Sequence, residues 1–160
     1  MKFVIKNIPN AMAIFMAVIF IDSLFFKFTD APETQVIFSQ KLDGWAADLG
    51  AAGLFGYTGL FSQYVIGSIE LLASFLLLVG ILPKFHRLQA MGAAAGVAVM
   101  LGAVSFHLFT PLGTDPNNDG GGLFIAAVTN LMFGLVLLLW FRRKEALEVV
   151  RRVAAVFAPD

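Results

Sequence analysis

The sequence predicts an all-α integral membrane protein: a bundle of four transmembrane helices, with a short interfacial helix after the first span and an amphipathic C-terminal tail. Three observations carry that prediction. Of the 160 residues, 59% are hydrophobic and 14% charged, whereas soluble domains have roughly half and a quarter; the mean hydropathy is +0.83. Four apolar stretches approach the roughly 20 residues that cross about 30 Å of hydrocarbon. Lysine and arginine also gather in alternate connections, as an even number of spans requires. The length accommodates these spans and their links as a single membrane domain over 1–160, with no separate soluble domain.

The first span is predicted at about 8–28, with Pro9 in its opening turn, where a missing N–H is harmless. Lys2 and Lys6 ahead of this run have the outline of a signal peptide. The apolar run reaches Phe28 without a small-x-small cleavage site, so it reads as a retained helix. Asp30-Ala31-Pro32-Glu33 has the form of a capped helix start. The segment from Pro32 to about Asp48 is too polar to span. Val36, Ile37, Leu42 and Trp45 suit it to the membrane surface, with Trp45 at headgroup level. Gly50, Gly53 and Gly56 interrupt it. The second span follows at about 57–82 and ends at Pro83; the third is at 88–109 and the fourth at 123–141. Arg142-Arg143-Lys144 stops the fourth, and the tail 142–160 carries Leu147, Val150, Ala154 and Phe157 on one face.

Lys2, Lys6, Lys84, Arg87, Arg142, Arg143, Lys144, Arg151 and Arg152 fall at the termini and the middle loop. Only Lys27 and Lys41 fall in the other connections, beside Asp30, Glu33, Asp43, Asp48, Asp115 and Asp119. The positive-inside rule therefore makes both termini cytoplasmic. A formal net charge of +0 gives no general attraction to nucleic acid; membrane lipid is the implied surroundings. The absence of cysteine excludes disulfide exchange, thiolate metal sites and iron–sulfur clusters held by this chain.

Polar side chains inside spans are costly in hydrocarbon, so they mark candidate sites. Asp22 lies roughly 9 Å from the outer end of the first span, and Gln63 is at a similar depth in the second. Glu70 is about 19 Å from the outer start of its span, and Asn130 is about 10 Å below the outer end of the fourth. Lys27 and His107 sit near the outer surface. Gln63, Gly67, Glu70 and Ser74 share one helical face. A mid-membrane carboxyl such as Glu70 can relay protons, hold the polar head of a ligand, or simply specify packing. Asp22 and Lys27 are candidates for an ion pair, although five residues is poor spacing within a helix. His107 suits ligand binding, proton relay or a capping role. It cannot share a haem with His86, at the opposite membrane face. Asn130 reads as interhelical glue, and the Gly92/Gly96 pair permits close helix packing or a subunit contact. Asp115, Asn117 and Asp119 match the opening of a calcium loop, but its twelfth position is Ala126 where a bidentate glutamate is needed. These are also ordinary turn residues, and no metal site is expected.

Phe25-Phe26-Lys27-Phe28-Thr29-Asp30-Ala31-Pro32-Glu33 followed by Ile37-Phe38 resembles the first-helix exit of DoxX-like membrane proteins. Gly67-Ser68-Ile69-Glu70-Leu71-Leu72, Phe106-His107-Leu108-Phe109-Thr110-Pro111-Leu112-Gly113, Asp119-Gly120-Gly121 and Leu123-Phe124 extend the resemblance from about Ile14 to Arg143. It implies a compact four-helix bundle in a bacterial inner membrane, with Lys27, Glu70 and His107 on the family's recurrent positions. Some such proteins are similar to subunits of a thiosulfate:quinone oxidoreductase and others are associated with redox homeostasis. The missing cysteines argue against a thiol-based role, and a shared fold does not transfer an activity.

Two functions follow as expectations. One is a subunit of a membrane redox complex that binds quinone or lipid through Asp22, Lys27, Gln63, Glu70 and His107, has no cofactor of its own and receives electrons from a partner. The other is a non-enzymatic assembly subunit, held to other membrane subunits or to its own copies by the Gly92/Gly96 helix and the tail. A small-solute transporter fits less well, because inverted repeats and a broken helix are lacking.

Overall fold

The computed structural model describes residues 2–157, with side chains from Asn7 onward. The charges of Lys2 and Lys6 and the last three residues of the expected tail therefore lie outside the described residues. Every regular element described is helical. In chain order they are α1 (Lys2–Phe28), α2 (Pro32–Gln35), a π-helical segment (Val36–Leu42), α3 (Asp43–Asp48), α4 (Gln63–Val79), a 3-10 turn (Pro83–Phe85), α5 (His86–Phe109), α6 (Gly122–Val136), a second π-helical segment (Leu137–Phe141) and α7 (Arg143–Val156).

Three stretches are long and apolar enough to cross a membrane: Asn7–Phe28, Pro83–Phe109 and Gly122–Phe141. The helix Gln63–Val79 is equally apolar but has 17 residues, about 25 Å of rise against about 30 Å of hydrocarbon. The second span expected at 57–82 is thus corrected to a shorter helix. The reason lies in the loop before it. Gly59 sits so close to the turn that a Cβ there would be 2.3 Å from the carbonyls of Gly53 and Leu54. Asp43 accepts from the N–H groups of Gly53 and Phe55, fastening the loop to α3. Helix can begin only beyond that closure, where Ser62 Oγ accepts from Val65 N–H as an N-cap. At the other end of the chain's first element, α1 already starts at Lys2 and carries Pro9 inside it.

The four longer helices close into a ring. α1 packs against α4 and α6, α5 packs against α4 and α6, and α1 and α5 face each other diagonally. Small and flexible side chains fill the centre: Ala13, Met16, Ala73, Ala93 and Met100 with Phe20, Leu77 and Leu137. Buried polar residues accompany them, including Gln63, Glu70, Ser74, Gln89, His107 and Asn130. The outside is instead apolar, with Val18, Ile21, Phe25, Leu71, Leu72, Phe75, Leu101, Ile125, Met132 and Leu139 exposed. Polar groups inside and hydrocarbon outside is the distribution a lipid solvent imposes.

The segment 32–48 does not lie as a free surface helix. Phe38, Leu42 and Ala46 are buried with Phe55 and Leu112, and Trp45 meets the Phe106 ring edge-on. It caps one end of the ring. Asp30 is not its N-cap either: the N-cap is Ala31, without a side-chain bond. Asp30 instead takes a left-handed backbone (φ 58) and turns its carboxylate toward the ring. At the far end Arg142 breaks the helix before α7, and the exposed Arg87–Glu148 ion pair ties α7 to α5.

Candidate functional site

Beneath the 32–48 cap, between α1, α4, α5 and α6, lies a cavity of about 890 Å³. Most of its wall is apolar: Phe20, Phe26, Phe38, Phe55, Phe61 and Phe106, with Ile66, Ile69, Val99, Met100 and alanines of α5 and α6. A few polar groups interrupt this wall, namely Asp22, Ser23, Lys27, Glu33, Thr34, Glu70, His107, Asn117 and Asp119. An apolar chamber with a small number of polar groups is the usual form of a small-molecule site.

Glu70 is 3% exposed, near the middle of α4. Its Oε2 lies 2.9 Å from Lys27 Nζ and accepts from Ser23 Oγ at 2.8 Å. Lys27 also donates to Ser23 Oγ at 2.8 Å and to Glu70 Oε1 at 3.2 Å. The three side chains form a closed cluster joining α1 to α4. Ser23 and Lys27 are four apart, so α1 presents both to Glu70 from one face. Gly67, one turn before Glu70, brings α4 against Lys27, Phe28 and Leu24. Ser74 Oγ donates to the Glu70 backbone carbonyl at 2.8 Å.

Lys27 therefore pairs with Glu70, not with Asp22. Asp22 is exposed at the cavity's edge and makes no ion pair or hydrogen bond among the described residues. Geometry explains the exchange: five residues turn Asp22 and Lys27 to different sides of α1.

Gln63 does not enter the Lys27–Glu70 cluster through its side chain. Its Nε2 donates to the Lys27 backbone carbonyl at 2.9 Å and to Asp30 Oδ1 at 2.8 Å, and its Oε1 accepts from Gln35 at 3.0 Å. Gln35 and the Tyr57 hydroxyl also donate to the Asp30 carboxylate. This network latches the cap and the loop onto the ends of α1 and α4. The hydrogen bond to Asp30 pushes the Tyr57 phenol up to about 12, with burial and the Asp30 charge adding to it.

His107 is 5% exposed and lines the cavity from α5. Its Nδ1 is 2.5 Å from the Gly113 carbonyl, and its ring meets the edge of Phe124 on α6 at 5.4 Å. The nearby loop uses its acidic groups on its own backbone. Asp119 accepts from the N–H groups of Gly121, Gly122 and Leu123, and Asp115 Oδ1 accepts from Asp119 N–H at 2.8 Å. The bonds from backbone N–H groups to its carboxylate, Leu123 N–H first, hold the Asp119 carboxyl below its ordinary range against an opposing effect of desolvation. Asn117 faces the cavity. Asp115, Asn117 and Asp119 thus form a turn that starts α6.

Gly92 and Gly96 both turn inward. A Cβ on Gly92 would lie 2.7 Å from Leu77 N and 2.8 Å from the Ala73 carbonyl of α4, and one on Gly96 would lie 3.1 Å from Met16 of α1. Asn130, fully buried, donates to the Met16 carbonyl at 3.5 Å, while its Oδ1 has no partner among the described residues.

Sequence reasoning missed Ser23, Thr34, Asp30 and Gln35. Ser23 was recoverable from its four-residue step to Lys27; the others depend on how the cap folds back. It also missed a polar chain at the opposite end, where Arg142 donates to Gln89 at 2.6 Å and Gln89 to Asn10 at 3.3 Å. No protein-family model, curated protein or solved structure matches this chain.

Proposed function

We propose that the chain is a DoxX-like protein of the bacterial inner membrane that crosses the bilayer four times, keeps both termini in the cytoplasm, and binds a quinone or a similar lipid in its capped cavity. It acts as a subunit of a membrane redox complex whose electrons come from a partner. The observation that carries this reading is the cavity of about 890 Å³, apolar over most of its wall and with several phenylalanines in it, with the Ser23–Lys27–Glu70 cluster opening into it. A quinone ring needs an apolar slot and one or two groups that can exchange hydrogen bonds or protons with its oxygens. α4 serves as the second span by local thinning of the bilayer around a helix about 5 Å short, at a modest cost per ångström.

Purification in mild detergent, solvent extraction and mass analysis test the ligand. A quinone or lipid retained by wild type and lost from Glu70→Gln is expected; no retained molecule, with Glu70→Gln indistinguishable from wild type, removes the proposal. Because the chain has no cysteine, single cysteines added at each terminus report topology cleanly. Labelling of the two ends from opposite sides of the membrane refutes four spans.

The assembly-subunit reading is supported by α7, whose Leu147, Val150, Val153 and Val156 are exposed beside a basic face. The inward packing of Gly92 and Gly96 removes those glycines from its support. Deleting α7 is expected to release partner subunits under that reading and to leave cavity binding intact.

A further inference from the structure

We propose that the cavity holds the hydroxyl form of its ring ligand in preference to the carbonyl form, because His107 presents a hydrogen-bond acceptor, Nε2, across from the Ser23–Lys27–Glu70 cluster. The inference rests on the quinone-type reading of this cavity and specifies which redox form is bound.

The Gly113 backbone carbonyl only accepts, so the His107 Nδ1 that lies 2.5 Å from it carries a proton. The ring is held a second time by the edge contact with Phe124, which leaves it little freedom to flip. In the neutral imidazole, a proton on Nδ1 leaves Nε2 with a lone pair. No described residue donates to it. His107 is 5% exposed and lines the cavity, so the free nitrogen opens onto that space. An acceptor on the cavity wall that no side chain or backbone N–H reaches is matched by a ligand hydroxyl.

The two walls differ in what they discriminate. Ser23, Lys27 and Glu70 belong to α1 and α4, whereas His107 and Phe124 belong to α5 and α6, and α1 and α5 are diagonal in the ring. The first wall contains both a cation and a carboxylate, so it meets either a carbonyl, through Lys27, or a hydroxyl, through Glu70. It is indifferent to the redox form. His107 is not, since its lone pair accepts from a hydroxyl and repels a carbonyl oxygen. A ring hydroxyl suits both walls, whereas a ring carbonyl suits only the first.

Equilibrium binding to the purified full chain in mild detergent tests this, with a decyl-tailed benzoquinone and its hydroquinone, kept reduced under anaerobic conditions, as probes. The assay is run at one mildly alkaline pH for every variant and probe. Wild type is expected to bind the hydroquinone roughly three- to tenfold more tightly than the quinone, the difference expected from about one net hydrogen bond. His107→Asn keeps a donor for the Gly113 carbonyl but has nothing at the Nε2 position, and is expected to bring the ratio of the two affinities to about one. His107→Gln puts an amide at the Nε2 position and is expected to retain part of it. The hydroquinone dimethyl ether, tested on wild type alone, is expected to bind no better than the quinone. Equal wild-type affinities for the two forms, or a preference that survives in His107→Asn, overturn this inference and leave the quinone-type reading standing. Failure of wild type to bind either form overturns both.

Discussion

Replacing Lys27 by methionine tests the arrangement at the centre of the site. The side chains of Lys27 and Glu70 are 12% and 4% exposed, so the pair is desolvated. Removing one partner of such a pair costs about 3–5 kcal/mol, because the other charge stays buried without compensation. In Lys27→Met, Glu70 retains only the Ser23 hydroxyl at 2.8 Å, which supports the full loss. Glu70→Leu is expected to cost less, about 1–2 kcal/mol, since Lys27 lies one residue from the end of α1 and its long chain can snorkel to the surface. The double variant removes both charges and is expected to be near neutral, within about 1 kcal/mol of wild type. Reversible unfolding of detergent-solubilised protein gives the three values, and the double-mutant cycle gives their coupling. Costs of the two single variants that simply add in the double variant would mean that the residues do not interact, and the Lys27–Glu70 cluster would be refuted.

Gly92→Ala is expected to destabilise by about 1–3 kcal/mol, because its Cβ would lie 2.7 Å from backbone nitrogen. Gly102→Ala is the matched control, its nearest contact being Phe106 at 3.9 Å, and thermal melts compare the two. Asp119→Ala removes the carboxylate that caps α6 and is expected to cost about 1 kcal/mol. Because folding holds that carboxyl below its ordinary value, its contribution is full above about pH 4 and is lost as the pH falls through the depressed value. The melting difference between variant and wild type should close over that acidic interval. Spectrophotometric titration of Tyr57, pushed up to about 12 by Asp30, should return toward about 10 in Asp30→Asn.

The cluster explains how one chain tolerates several ionisable groups among hydrocarbon. Lys27 and Glu70 neutralise one another, and Asp30 is met by Gln35, Gln63 and Tyr57. Asp22 stays outside these networks. It is exposed at the edge of the cavity, the position in which an unpaired carboxylate is least penalised.

Helical class, the three long apolar stretches and the identity of the costly polar residues are properties of composition and local pattern, so the amino-acid sequence by itself determines them. A run such as 122–141 has one low-energy form in lipid, since only a helix satisfies its own backbone. The four-residue step from Ser23 to Lys27 is local in the same sense. Pairing is not local. Whether Lys27 meets Asp22 or Glu70 depends on the rotation of α1 against α4, and hydropathy is blind to rotation. The start of α4 at Gln63 depends on a loop closed by Asp43, and the role of 32–48 as a cap depends on Phe38 and Leu42 finding Phe55 and Leu112. Those contacts join segments far apart in the chain, so only tertiary packing selects among them, and the cavity exists because that packing leaves the space between α1, α4, α5 and α6 unfilled.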